Sequence, residues 1–232
     1  MAWGCSSSTN RGLVSNLKRA GLLSTQIVTS AFFAVDRGYF APSNPYSDAP
    51  QSIGWGATIS APHMHAMCTE ALCDRLTRPD ARILDIGSGT GILLAYWANM
   101  KGDGGRLVGV EHVPELAEKS KDSLRLALSD ALFKGVEVIL GDGRARALAA
   151  QNLEGPWDVI HVGAATSSEE AAALAALLSP AGALLAPVDD PAHEGQELTL
   201  FTRAADGRTF NGLRITSCRY VALCDRASRD CH

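Results

Sequence analysis

From Leu84 to Gly91 the chain reads Leu-Asp-Ile-Gly-Ser-Gly-Thr-Gly and runs straight into the apolar Ile92-Leu93-Leu94. Glycines at Gly87, Gly89 and Gly91 permit a sharp turn and let a ligand approach where a Cβ would block it. A nicotinamide-binding turn reads G-x-G-x-x-G and faces a pyrophosphate. Here the spacing is G-x-G-x-G with Asp85 just ahead of it, which suits a ligand with a cationic end rather than two phosphates. Glu111 closes the next apolar run, where an acid can accept hydrogen bonds from both hydroxyls of a ribose. Gly141-Asp142-Gly143 follows the third run, its carboxylate suited to the amino group of an adenine. The plainer alternative is that Asp85, Glu111 and Asp142 each cap the helix that follows.

These residues need strand ends to hold them, and the pattern supplies such ends. Short apolar runs at Arg82 to Ile86, Leu107 to Val110, Val136 to Leu140, Val159 to Val162 and Ala183 to Val188 alternate with helical stretches. Strands that are apolar throughout and separated by helices imply an α/β fold with a doubly wound, mostly parallel sheet covered by helices on both faces. The alternation in Glu197 to Arg203 and the β-rich Leu213 to Leu223 predict antiparallel strands at the end. Upstream, helices are expected over Leu13 to Ala20 and Thr25 to Asp36, the latter with Ser24 or Thr25 as cap. Arg37 to Ala61, broken by prolines and glycines, reads as one long loop, and Pro62 opens a further helix to about Leu76.

With 232 residues, and roughly 150 per domain, one domain is expected: a helical and loop extension over 1–80, a ligand-binding core over 81–188 and terminal strands over 189–232. Hydrophobic residues make up 46% and charged residues 20%, ordinary for a folded soluble chain. Lys plus Arg number 21 against 25 acids, a formal charge of −4 that gives no footprint for nucleic acid. The six cysteines show no C-x-x-C pair, so reduced thiols in a cytoplasmic protein are expected, without a metal site. Met1 to Arg11 lack the apolar block of a secretory signal, and Ala171 to Val188, broken by Ser179-Pro180 and Gly182, is a poor membrane span.

The run Leu84 to Gly91 with Glu111, Asp142 and Trp157-Asp158-Val159-Ile160-His161 resembles the S-adenosyl-L-methionine-binding core of class I methyltransferases. Asn44 to Gly54, followed by Ala57-Thr58-Ile59-Ser60-Ala61-Pro62-His63-Met64-His65-Ala66, resembles the signature of the protein-L-isoaspartate (D-aspartate) O-methyltransferase family. Gly141 to Arg144 and Ile160 to Ala165 extend that resemblance over nearly the whole chain.

The resemblance implies methyl transfer to the free α-carboxylate of L-isoaspartyl residues of damaged proteins and peptides, initiating their repair, with D-aspartyl residues open as a second acceptor. It implies S-adenosyl-L-methionine as methyl donor, S-adenosyl-L-homocysteine as product, and a monomer without nucleic-acid or membrane partners. Ser60 is implied as the active-site residue, its alternative role being a plain N-cap. Ala57, Thr58, Ile59, Ser60, His65, Asp85, Gly87, Gly89, Thr90, Gly91, Glu111, His112, Asp142, Gly143 and Cys224 are implied around the donor. The backbone amides at the start of the Pro62 helix are expected to favour the acceptor anion.

The tail departs from the family pattern: Ala222 and Cys224 stand where Pro and Thr are usual, Asp189 where Gly is, and Thr166-Ser167-Ser168 lacks a Pro. Two other readings stay open, a methyltransferase-like adaptor that recognises damaged proteins without modifying them, and an enzyme for a small carboxylic acid.

Overall fold

The apolar runs pair into a single sheet. In the computed structural model, which describes residues 4–101, 104–190 and 195–223, the chain opens with α1 (Asn10–Arg19), α2 (Gln26–Ala34), a short 3-10 turn (Arg37–Tyr39), a hairpin of β1 (Gln51–Gly54) and β2 (Ala57–Ile59), and α3 (Pro62–Leu76). It continues as β3 (Arg82–Ile86), α4 (Ile92–Ala98), β4 (Arg106–Glu111), α5 (Pro114–Ala127), α6 (Asp130–Lys134), β5 (Val136–Leu140) and α7 (Ala145–Leu148). Then follow β6 (Trp157–Val162), α8 (Ser168–Ala175), β7 (Leu178–Asp189), β8 (Gln196–Arg203) and β9 (Phe210–Cys218).

The strand order is β5-β4-β3-β6-β7-β8-β9. The first five strands of that order are parallel, and β8 and β9 are antiparallel additions. The doubly wound sheet with antiparallel terminal strands is therefore as the sequence predicts. Order reverses between β3 and β6, the position at which such sheets open a crevice for ligands.

Side chains alternate across a strand, and the two faces bury different partners. Ile83, Leu107, Val159 and Leu185 meet Leu17, Phe32, Leu72 and Trp97 on one face. Leu84, Ile86, Val108, Ile160 and Leu184 meet Leu148 and Leu174 on the other. By the same period, Asp85 and His161 share the first face, and they are register partners across β3 and β6.

The chain departs from expectation in the N-terminal third. Arg37 to Ala61 is not one loop: it carries the β1–β2 hairpin, whose turn Gly54-Trp55-Gly56 runs through three positive φ angles of 93, 53 and 73°. Strands of four and three residues are too short to show a period of two. Thr25 holds the N-cap position of α2 without capping it by its own side chain. Instead Glu70, from α3, accepts the N–H groups of Ser24 and Thr25 at 2.8 and 3.0 Å and both of their hydroxyls. One carboxylate thus closes the helix end and ties α2 to α3. Among the described residues no helix is long and apolar enough to cross a membrane.

Candidate functional site

Two hollows of about 430 and 550 Å³ lie over the crevice, within the size range of small-molecule sites. They share Ile53, Thr58, Gly87, Gly89 and Gly163, so they are the two ends of one cleft. The hairpin forms its roof and the ends of β3, β4 and β6 its floor.

At the β4 end the floor is built largely from backbone. Gly87, Gly89 and Gly91 all have positive φ, and a Cβ on Gly91 would come within 2.6 Å of Ser120 Oγ. Glu111 is buried, its Oε2 accepting from Gly89 N at 2.9 Å and its Oε1 from Val113 N at 2.9 Å. Oε1 also has His112 Nδ1 at 3.2 Å, whereas Oε2 keeps a further lone pair, so a fixed carboxylate faces the hollow with one oxygen open to a ribose hydroxyl. His112 lines the same end, and its contact with Glu111 raises its pKa above the ordinary value. Ser88 Oγ and Thr90 Oγ1, on the adjoining Ser60 side of the glycine turn, are buried without a hydrogen-bond partner. Buried orphan hydroxyls are rare unless a ligand or water completes them. Together with Glu111, they fit a polar ligand such as an adenosyl group.

The Ser60 end is built from side chains. Asp85 Oδ1 lies 2.7 Å from His161 Nδ1, both residues fully enclosed. Burial works against a charged imidazole, but the contacts with Asp85 and Cys68 more than reverse that, and His161 is pushed up to about 10. Burial raises the Asp85 carboxyl as well. The pair therefore shares one proton across neutral pH, as an imidazolium facing a carboxylate. His65 on α3 lines the same hollow in the opposite state: burial first, and then the nearby Arg37, hold it well below its ordinary value. Tyr220 lines the same hollow, and burial raises its phenol above the ordinary value.

The start of α3 gives a correction. No amide of its first turn is left for an anion: His63 N donates to Asp48 Oδ1 at 2.9 Å, and Met64 N and His65 N both turn back to Ala61 O. Asp48 is itself the anion at this helix end. It is further held by His63 Nδ1 at 2.8 Å.

A model described as "Protein-L-isoaspartate(D-aspartate) O-methyltransferase (PCMT)" matches residues 8–228. The chain belongs to the protein-L-isoaspartate (D-aspartate) O-methyltransferase family. It is 40% identical to protein-L-isoaspartate O-methyltransferase 1 of Arabidopsis thaliana over 98% of this chain and 96% of that one. It is 44% identical to the Caenorhabditis elegans protein-L-isoaspartate O-methyltransferase over 82% of each. A solved Plasmodium falciparum structure, described as a protein-L-isoaspartate O-methyltransferase in complex with S-adenosyl-L-homocysteine, superposes with a TM-score of 0.81 at 29% identity, covering 94% of this chain and 99% of that one.

Of the residues that the resemblance to this methyltransferase family singles out, Ala57, Thr58, Ile59, Ser60, His65, Asp85, Gly87, Gly89, Thr90, Glu111, His112 and Gly143 line the cleft. Gly91 lies behind it as the N-cap of α4. Asp142 does not line it: Arg144 Nη2 sits 2.6 Å from its Oδ2, and these hydrogen bonds outweigh burial and hold the carboxyl below its ordinary value. Cys224 falls outside the described residues. Leu223 and Ala222 do reach the cleft, carried there by bonds between Ala165 N and Val221 O and between Leu223 N and Ala165 O, both 2.8 Å. Asp189, in place of the usual glycine, simply ends β7 opposite Gln196.

Four contributors were missed as site residues: Arg37, Ser88, His161 and Tyr220. His161 carries a usable signal, being the lone polar residue of the apolar run Val159 to Val162, in register with Asp85. Arg37 carried none, because one basic residue in a loop ordinarily reads as solvated.

Proposed function

We propose that this chain transfers a methyl group from S-adenosyl-L-methionine to the free α-carboxylate of L-isoaspartyl residues in damaged proteins and peptides, with D-aspartyl residues as a second acceptor. The reading rests on one observation: two adjoining hollows, walled in common by Ile53, Thr58, Gly87, Gly89 and Gly163, set the fixed Glu111 carboxylate beside the Ser60 hydroxyl and His65. When bound, the donor supplies a sulfonium methyl that a carboxylate oxygen takes as a methyl ester, leaving neutral S-adenosyl-L-homocysteine.

The chain's own residues suit such an acceptor. A carboxylate of pKa about 3.5 to 4 is already ionised at neutral pH, and no general base is required. None is free at this end, since His161 already holds its proton and the Nδ1 lone pair of His65 is engaged by Arg37. The Ser60 hydroxyl is placed to orient the carboxylate, and the hairpin to exclude water above it. In the same proposal Glu111 and His112 hold the ribose, while Thr90 and Ser88 complete their hydrogen bonds on the donor. Asp142 takes a lesser part because Arg144 already covers it. We place the protein as a monomer in the cytoplasm; the free thiols of Cys5, Cys68, Cys73 and Cys218 agree with a reducing compartment.

Two peptides identical except for an Asp or an isoAsp linkage, incubated with the protein and methyl-labelled donor, test the proposal. Label is expected in the isoAsp peptide alone. Equal labelling of both, or of neither, rejects it.

A further inference from the structure

Arg37 is fully buried and, among the described residues, forms no ion pair. It leaves the 3-10 turn to place Nη1 3.1 Å from His65 Nδ1 and Nη2 2.9 Å from the carbonyl oxygen of Ser60. Its Nε has no partner. Burying a guanidinium without a carboxylate is costly, so the position calls for a reason beyond packing.

The chemistry of the donor decides what His65 must be. A guanidinium has N–H groups and no lone pair to offer. A ring nitrogen facing it must therefore accept, which leaves Nδ1 bare and the ring proton on Nε2. Protonation at Nδ1 would set two cations together in a buried site, and the groups around the ring make that worse. Arg37 from the turn, the protonated His161 from β6 and His63 from α3 itself all oppose a second positive charge. Asp85 and Tyr220 are the remaining titratable groups on this hollow: Asp85 is engaged by His161, and burial keeps the Tyr220 phenol protonated.

We propose that Arg37 is a positioning residue for the transfer: it fixes His65 as the neutral Nε2–H tautomer, a donor for the acceptor carboxylate beside the Ser60 hydroxyl. It also keeps its own positive charge one residue behind the contact. The arrangement matters for a nucleophile. A guanidinium bonded directly to the carboxylate would draw off the electron density that must form the new C–O bond, whereas a neutral N–H orients the oxygen with less loss. The charge behind it still offsets the expense of bringing an anion into the cleft. With the amides of the first turn of α3 already taken, His65 and Ser60 are the two side-chain donors that Arg37 holds side by side, through His65 Nδ1 and the Ser60 carbonyl. This inference rests on the acceptor being a carboxylate, as proposed above.

Nitrogen-15 NMR of histidine-labelled protein, without any acceptor present, reads the tautomer directly. His65 is expected as Nε2–H, with no titration step at the ordinary histidine value. In Arg37→Met it should titrate closer to the ordinary histidine value. The isoaspartyl peptide KM should then rise about tenfold or more, with a new acidic limb in kcat/KM and an unchanged S-adenosyl-L-homocysteine Kd. Arg37→Lys, which keeps a donor and a charge, should recover part of the KM. Should Arg37→Met not fold, His65→Gln and His65→Asn decide: glutamine can present an N–H near the Nε2 position and should retain more activity than asparagine. An Nδ1–H or charged His65 in the unaltered protein overturns the proposal. So does a pH-independent loss in Arg37→Met with the tautomer unchanged. Because the tautomer is read without acceptor, its failure is separable from failure of the paired-peptide assay.

Discussion

Two histidines line the same hollow, and their partners set them in opposite states. His161 faces a carboxylate and keeps its proton to about pH 10; His65 faces a guanidinium and is held neutral. Both are enclosed, so burial alone would push both the same way. The neighbour decides. The floor of the cleft thus carries a closed ion pair, Asp85 with His161, that is neutral as a unit. Its wall carries a neutral donor with a charge behind it. A floor of this kind can lie under a cationic sulfonium, and a wall of that kind can meet an anionic carboxylate.

The largest effect is expected from breaking the floor. Asp85→Ala leaves an uncompensated buried imidazole, and loss of one partner of a buried pair costs about 3–5 kcal/mol. Urea unfolding at pH 7 should show a midpoint lowered accordingly, and a loss under about 1 kcal/mol would mean that the pair does not carry the charge assigned to it.

The two histidines should also give opposite pH limbs. His161 has a raised folded value, so its stabilisation is complete below its ordinary value of 6.5 and fades as pH rises through about 10. His65 has a lowered one, so stability declines as pH falls below 6.5, where the unfolded chain takes up a proton that the folded chain refuses. Unfolding measured across pH should lose its alkaline limb in His161→Gln and its acidic limb in His65→Gln. The same limb lost from both variants would show that the assignment is wrong.

Smaller effects separate the two ends of the cleft. Removing a charged hydrogen bond costs about 1.5–3 kcal/mol, so Glu111→Gln should weaken S-adenosyl-L-homocysteine binding roughly 10- to 100-fold by calorimetry, with kcat at saturation little changed. Ser60→Ala should do the reverse, lowering turnover about tenfold while donor affinity holds. If Ser60→Ala instead abolishes donor binding at normal turnover, the division between the ends fails.

That division also explains what was legible in the sequence. The β4 end is made by backbone at strand termini, and backbone demands leave marks: glycines at alternate positions, an acid at the close of an apolar run. Its strands are legible nearly to the residue, Arg82 to Ile86 among them. The Ser60 end depends on groups brought together from the 3-10 turn, α3, β6 and the segment after β9, and no local period records that. Arg37 and His65 meet across 28 residues of chain. The hairpin over Gln51 to Ile59 was hidden by its own brevity and its glycines. Asp142 shows the opposite failing: its position was read correctly, but Arg144, two residues on, was not weighed as its partner.

The account stands on an acceptor carboxylate held at Ser60 and His65 beneath the hairpin. A crystal structure with S-adenosyl-L-homocysteine and an isoaspartyl peptide bound together tests that most directly. The carboxylate should sit within hydrogen-bonding distance of Ser60 Oγ and His65 Nε2, with the thioether sulfur facing it across the space of one methyl group. A carboxylate bound by Arg37 itself, or lodged away from the 57–65 segment, would contradict it.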